Sequence, residues 1–145
     1  MRIAVIYGNM PHYDNGLGKV MQVFNNALKE LGMEIDEISL GFAQLPCFDG
    51  MRAHGADDIV SRMRASTGVV FASTAQLFAP TAMLQTFLEY LESEAYANAL
   101  QGKHCFLATV SKTGGERSAL EYLARVVQHF GGARNHGIHG HGGGV

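Results

Sequence analysis

The sequence predicts an α/β domain built on a doubly wound, five-stranded parallel sheet of order 2-1-3-4-5. Three observations carry that prediction. Apolar runs of strand length alternate with helix-period segments along the whole chain, the pattern of a parallel sheet covered by helices. The runs over residues 3–7 and 68–74 are continuous rather than alternating, as strands buried on both faces require. The chain has 145 residues, 47% hydrophobic and 17% charged, which is the size and make-up of one domain able to form a core without disulfides or structural metals. Right-handed crossovers and a polar second strand give the strand order, and in such sheets ligands bind outside the carboxyl ends of the strands, where the order reverses.

The elements follow in order. Residues 3–7 form the first strand and stop at Gly8. Val20, Phe24, Ala27, Leu28 and Leu31 then recur at i, i+4, i+7, i+8 and i+11, one stripe of a helix over 17–31 that Gly32 closes. Residues 33–40 set Met33, Ile35 and Glu37 against Glu34, Asp36 and Ile38, polar enough for an edge strand. An irregular stretch over 41–55 contains Pro46, Cys47 and Gly50, and Asp57 and Asp58 suit the first turn of a helix reaching about Arg64. Residues 68–74 are the third strand. Pro80 is placed to open a long helix whose apolar face holds Met83, Leu84, Phe87, Leu88 and Leu91. Residues 104–110 are the fourth strand. Leu120, Leu123, Val126, Val127 and Phe130 mark the last helix, stopped by Gly131 and Gly132. Residues 133–138 are a fifth strand weakened by His136 and Gly137. The domain therefore spans 1–138, and 139–145 is a flexible Gly/His tail. No last helix covers that edge, so either the chain is shortened or a partner supplies the cover.

Composition excludes several functions. The net charge is −2 with 11 Lys plus Arg, and they are scattered, so no basic stripe exists to neutralise a nucleic-acid backbone. No uncharged apolar run reaches the roughly 18 residues of a membrane span, and the amino-terminal run is too short for a signal peptide, which predicts a cytoplasmic protein. Cys47 and Cys105 are expected to be reduced thiols. His136, His139 and His141 lack carboxylate or thiol partners, so no metal site is expected. A phosphoacceptor receiver has the same strand order but needs acidic residues where this chain has Gly8-Asn9 and Thr74-Ala75.

Three loops fall at the ligand-binding edge. The first contains Gly8, Asn9, Met10, Asn15, Gly16, Leu17 and Gly18, with His12 and Tyr13 between them. A glycine-rich turn into a helix amino terminus is an anion site in form. It is not a Walker loop, because Tyr13 stands at a required glycine and Val20 at the required Ser or Thr. It is not a dinucleotide fingerprint either, since Met21 replaces the third glycine. Alone, it reads equally as a flexible glycine-opened loop. The second contains Thr74, Ala75, Gln76, Leu77 and Phe78, apolar and amide-bearing, which beside an anion site suits a flat heteroaromatic ligand carrying a phosphate. The other reading packs Leu77 and Phe78 under the following helix. The third, with Ser111, Thr113, Gly114 and Gly115, adds hydroxyls and a glycine pair that lets backbone approach a ligand; it also reads as an ordinary strand-to-helix turn.

These residues carry a resemblance over nearly the whole chain to the flavodoxin-like family of NADPH-dependent FMN reductases and iron–sulfur flavoproteins. Gly8-Asn9-Met10-Pro11 and Asn15-Gly16 resemble its phosphate loop. Leu45-Pro46-Cys47 with Asp57-Asp58 is similar to its Cys-containing segment and Asp pair. The stretch from Phe71-Ala72-Ser73-Thr74 through Pro80 to Leu84, Phe87 and Glu89 resembles its third-strand and ligand-loop pattern. Thr113-Gly114-Gly115-Glu116 looks like its Gly-Gly turn beside the isoalloxazine ring. The chain departs from the pattern where Asn15, Gly16 and Gly18 replace phosphate-loop hydroxyls, Gln85 replaces Lys and Glu89 replaces Asp. Only Cys47 matches a cluster cysteine, so no iron–sulfur centre is implied. The resemblance implies FMN as cofactor, held by the sixteen residues of the three loops from Gly8 to Gly115 named above, and NAD(P)H as co-substrate. It implies a small acceptor such as a quinone or flavin, no catalytic side chain because flavin N5 carries the hydride, and a homo-oligomer, dimer or tetramer. The alternatives are a flavodoxin-fold binding or structural module that has lost FMN and an electron-transfer flavoprotein. The mild net charge weakens the last.

Overall fold

A computed structural model describes residues 1–10 and 16–141, with the backbone alone for 134–137 and 141. Strands β1 (Arg2–Tyr7), β2 (Glu34–Ser39), β3 (Gly68–Gln76), β5 (His104–Ser111) and β6 (Ala133–His141) form a parallel sheet in the order β2-β1-β3-β5-β6. This is the predicted order, with one addition: β4 (Ala79–Pro80) pairs antiparallel with the end of β3. The polar strand β2 lies at the edge, as its composition predicts.

The helices are α1 (Leu17–Glu30), the short α2 (Leu40–Ala43), α3 (His54–Arg64), α4 (Ala82–Glu92) and α5 (Glu116–His129). Successive strand residues point to opposite faces, and the two cores separate accordingly. Ala4, Ile6, Phe71 and Leu107 pack in one core with Ile59 of α3, Phe87 of α4 and Leu123 of α5. Val5, Val70, Ala72 and Ala108 pack in the other with Leu17 and Met21 of α1. On the α1 side Phe106, Ala108 and Val110 of β5 belong to this second core, while Ile138 of β6 is exposed.

Several boundaries differ from the sequence expectation. Pro80 does not open α4, because it pairs with Ala75 in β4. Thr81 takes the cap position instead, its hydroxyl accepting from the Leu84 N–H at 3.2 Å. Strand β3 continues two residues past Thr74 for the same reason, since the hairpin supplies backbone partners beyond the parallel sheet. Strand β6 runs to His141, three residues past the expected end, because Thr109, Val110 and Ser111 offer ladder partners to His139, Gly140 and His141. Residues 142–145 of the expected tail lie outside the described residues.

Helix α1 is rotated from the predicted face. Its buried residues are Leu17, Met21 and Asn25, while Val20 and Leu31 of the predicted stripe are exposed. The cause is polar. The Asn25 amide donates to the Tyr7 hydroxyl at 2.9 Å and to Glu37 at 2.7 Å, which draws that side of the helix down onto β1 and β2. On the opposite flank Phe24 stacks on Phe106 of β5, ring centroids 4.6 Å apart. Helix α3 is tied to the edge strand by Asp36, which accepts from Arg62 Nε at 2.9 Å and Arg2 Nη2 at 3.3 Å. No helix among the described residues is long and apolar enough to cross a membrane.

Candidate functional site

The crevice at the carboxyl ends of β1, β3 and β5 is assembled by hydrogen bonds between its loops. Gly8 leaves β1 by donating its N–H to the Ala72 carbonyl at 2.8 Å. A Cβ there would lie 2.9 Å from Thr81 Oγ1 and 3.0 Å from Leu84 Cβ, so this glycine lets the first loop pass over the start of α4. The Thr81 hydroxyl donates to the Gly8 carbonyl in a short bond. The Thr81 N–H donates in turn to Ser73 Oγ at 3.2 Å.

Asn9 is buried and bridges the first two loops. Its amide donates to Thr74 Oγ1 at 2.8 Å, and the Thr74 N–H donates back to Asn9 Oδ1 at 3.0 Å. Gln76 adds a third bond to the same hydroxyl at 3.1 Å. Met10 turns from the crevice to line, with Leu40, Gln44, Leu45 and Met83, a cavity of about 260 Å³. Asn15, with His12 and Tyr13, lies outside the described residues. Gly16 sits at φ 86° as the cap residue of α1, a left-handed conformation that favours glycine. Leu17 is a core residue, whereas a Cβ on Gly18 would meet nothing within 4 Å.

The second loop is a tight hairpin. Thr74 and Ala75 are buried parts of β3, Gln76 ends it, and Leu77 and Phe78 make the two-residue turn. Both have positive φ, 50° and 68°, as in the primed turns that normally select Asn-Gly. Neither packs under α4: Leu77 is 95% exposed and Phe78 67%. The third loop meets this hairpin. Gly115, at φ 94°, caps α5, and a Cβ on it would fall 2.8 Å from Phe78 Cα. Ser111 is buried; its hydroxyl donates to the Glu116 carboxylate in a short bond and accepts the Gly114 N–H at 3.0 Å. Thr113 is exposed, and Gly114, at φ 105°, faces open space.

The sequence-predicted residues thus divide. Gly8, Asn9 and Thr74 join the first two loops and Ser111 braces the third from within; Gly18, Gln76, Leu77, Phe78, Thr113 and Gly114 present surface. Sequence reading missed Ser73 and Thr81, which complete that join, and Glu116, which accepts from Ser111 and Thr109. The signal for Thr81 was available, because a threonine after Pro80 and three residues before an apolar helix position is a cap pattern.

A phosphorylated flavin ring fits what these residues offer. Leu77 and Phe78 give a flat ring exposed apolar surface beside the open backbone at Gly114. The first turn of α1 holds no acidic residue, so the helix dipole there favours an anion.

Fold and crevice together define a flavodoxin-like α/β domain. The chain belongs to the NADPH-dependent FMN reductase family, whose model matches residues 1–139. FMN is accordingly its cofactor and NAD(P)H its co-substrate. Solved structures with the same fold include FerB, a flavoenzyme NAD(P)H:(acceptor) oxidoreductase from Paracoccus denitrificans. It is 16% identical, with a TM-score of 0.75, and the match covers 92% of this chain and 74% of that one. An azoreductase from Bacillus anthracis is 17% identical over 95% of this chain and 86% of its own, with a TM-score of 0.74. A flavodoxin from the domain Archaea is 14% identical over 96% and 83%, with a TM-score of 0.66. No curated protein matches the sequence.

Proposed function

We propose that this NAD(P)H-dependent flavin oxidoreductase passes electrons to a small planar acceptor, a quinone or free flavin, which follows NAD(P) into the same crevice in a ping-pong sequence. The observation that carries the reading is the exposed Leu77–Phe78 turn held against the glycine pair of the third loop. FMN held in this crevice would supply hydride and two-electron chemistry. The chain's own residues position and exclude. In this reading Asn15, Gly16, Leu17 and Gly18 receive the phosphate through backbone N–H groups at the start of α1. Gln76, Leu77 and Phe78 border the ring on one side, and Ser111, Thr113, Gly114 and Gly115 border it on the other. Gly8, Asn9, Thr74 and Ala75 form the floor that keeps the loops in place, and Met10 packs behind it against Leu40 and Met83. No side chain serves as acid, base or nucleophile. A cytoplasmic homo-oligomer belongs to the same reading.

The test is spectroscopic and kinetic. FMN added to the purified protein should give a bound-flavin absorption spectrum with quenched fluorescence, and NADPH should be oxidised on addition of a quinone. A second reading, a binding module without flavin, draws on the commitment of the Asn9 and Thr74 side chains to one another and of Ser111 to Glu116 and Gly114. It expects no FMN in the titration and no NADPH turnover. An electron carrier would bind FMN but fail to oxidise NADPH.

A further inference from the structure

We propose that the cavity beside Met10 receives the short aliphatic tail of the acceptor, one or two isoprene units borne on a quinone ring; this rests on the quinone reading above and adds a substituent to it. Position is the first support. Gly8 and Asn9 belong to the crevice floor, and the next residue, Met10, lines the cavity. On another side the Thr81 hydroxyl bonds to the Gly8 carbonyl, and Met83, two residues on, lines the cavity as well. Helix α2 closes the remaining side through Gly41. A Cβ there would fall 3.0 Å from Met10 Cα and 3.4 Å from the Asn9 carbonyl oxygen, so glycine allows the helix to sit directly on this segment. Ser39, just before α2, donates its hydroxyl to the same Asn9 carbonyl at 3.2 Å. Crevice and cavity therefore share the segment from Gly8 to Met10 as their border.

Chemistry and size name the occupant. No charged residue lines the cavity; Met10, Leu40, Leu45 and Met83 make most of its wall. Thr86 is one of its two polar side chains, and its hydroxyl is committed, donating to the Ala82 carbonyl at 2.8 Å. A charged or strongly hydrogen-bonding group would lose its water there without replacement, whereas an aliphatic chain is favoured. The two methionines can repack around chains of differing shape. The volume, about 260 Å³, exceeds the roughly 150 Å³ of an apolar cavity that holds a benzene molecule and falls below the roughly 300–1,000 Å³ of a site for a whole drug-sized ligand. It suits a ring's substituent better than a second ring system. Gln44, the other polar lining residue, ends α2 at φ 47°, a left-handed conformation for which glycine is the ordinary choice. Such outliers concentrate at segments that hold ligands.

The test uses the full-length protein supplied with FMN and quinones that share a head and differ in tail: ubiquinone-0, without an isoprene unit, ubiquinone-1 and ubiquinone-2. From the first to the last, KM should fall roughly tenfold or more at similar kcat, because a tail held equally in ground and transition states changes KM alone. Geraniol, the two-isoprene tail without a ring, gives a readout independent of turnover. Titrated into the same protein without NADPH, it should show saturable heat. Thr86→Phe fills the cavity from α4, and Met83→Glu places a carboxylate in its wall. Each should bring the KM values of the three quinones to within about twofold and abolish geraniol binding. Met83 is 37% exposed and Thr86 is half-buried on the same helix, and unchanged thermal midpoints verify folding of both variants. A KM indifferent to the tail overturns the proposal, as does a tail preference that survives both variants. Should no quinone oxidise NADPH, the acceptor reading fails on its own: geraniol binding lost in Met83→Glu then upholds the cavity as an aliphatic site, and absence of geraniol binding to the wild type overturns it too.

Discussion

Thr81 does three things with one side chain and its own N–H. It caps α4, donates to the Gly8 carbonyl and anchors to Ser73. Replacing it with valine keeps the volume but leaves a buried carbonyl and a helix N–H without partners. Thr81→Val should therefore lower stability by about 1–3 kcal/mol, read as a shift in the urea midpoint at unchanged slope. Leu77 and Phe78 show the opposite relation between stability and use. Two non-glycine residues in left-handed conformations cost about 1–3 kcal/mol each, and their apolar surface faces water. The variant L77N/F78G, which installs the residues such a turn prefers, should raise the thermal midpoint of the apoprotein by several degrees. The same variant should bind both FMN and riboflavin more weakly, since those ligands share the ring and differ at the phosphate. Sequence alone placed these two residues in the crevice loop but left open whether they were packed or presented. The turn geometry decides it, and that geometry comes from the β3–β4 pairing that the Pro80 signal concealed.

At the scale of the element, periodicity identified α1 but not its orientation. Burial of an asparagine opposite Glu37 has no apolar signature, so a stripe count could not weigh it against Val20 and Leu31. Edge strand β2 was more legible, because its polar residues were themselves the evidence. Asp36 gives that edge its pH response. Hydrogen bonding from Arg62 holds its carboxyl below the ordinary aspartate range, against the opposing effect of partial burial. A carboxylate depressed in the folded state contributes stability that is fully present above its unfolded value, near 3.9, and is lost as pH falls toward the folded one. Asp36→Asn should thus destabilise the protein at pH 7 and flatten its acid-unfolding profile below about pH 4. Arg62→Met should cost about 1 kcal/mol, because part of the guanidinium already faces water.

For the whole molecule, the alternation of strands and helices carries the sheet order, while the convergence of the loops depends on short polar bonds between residues some 65 apart in sequence, Asn9 with Thr74. Such pairs leave no local pattern. The same global arrangement separates the two thiols. Cys47 is exposed, whereas burial pushes the Cys105 thiol up to about 11. A thiol reagent at pH 8 should modify Cys47 within minutes and Cys105 only at the rate of unfolding, so a native count of one and a denatured count of two are expected.

The seat of the hairpin against Gly115 also acts as a lever arm. The cap of α5 is the surface on which Phe78 rests, so pressure on the turn reaches the first turn of a fourteen-residue helix running to the far end of the sheet. Filling the crevice should therefore be audible away from it: the amides of Ala119 and Leu120 should exchange with deuterium more slowly when FMN is added, and unchanged exchange there would show that the turn moves alone.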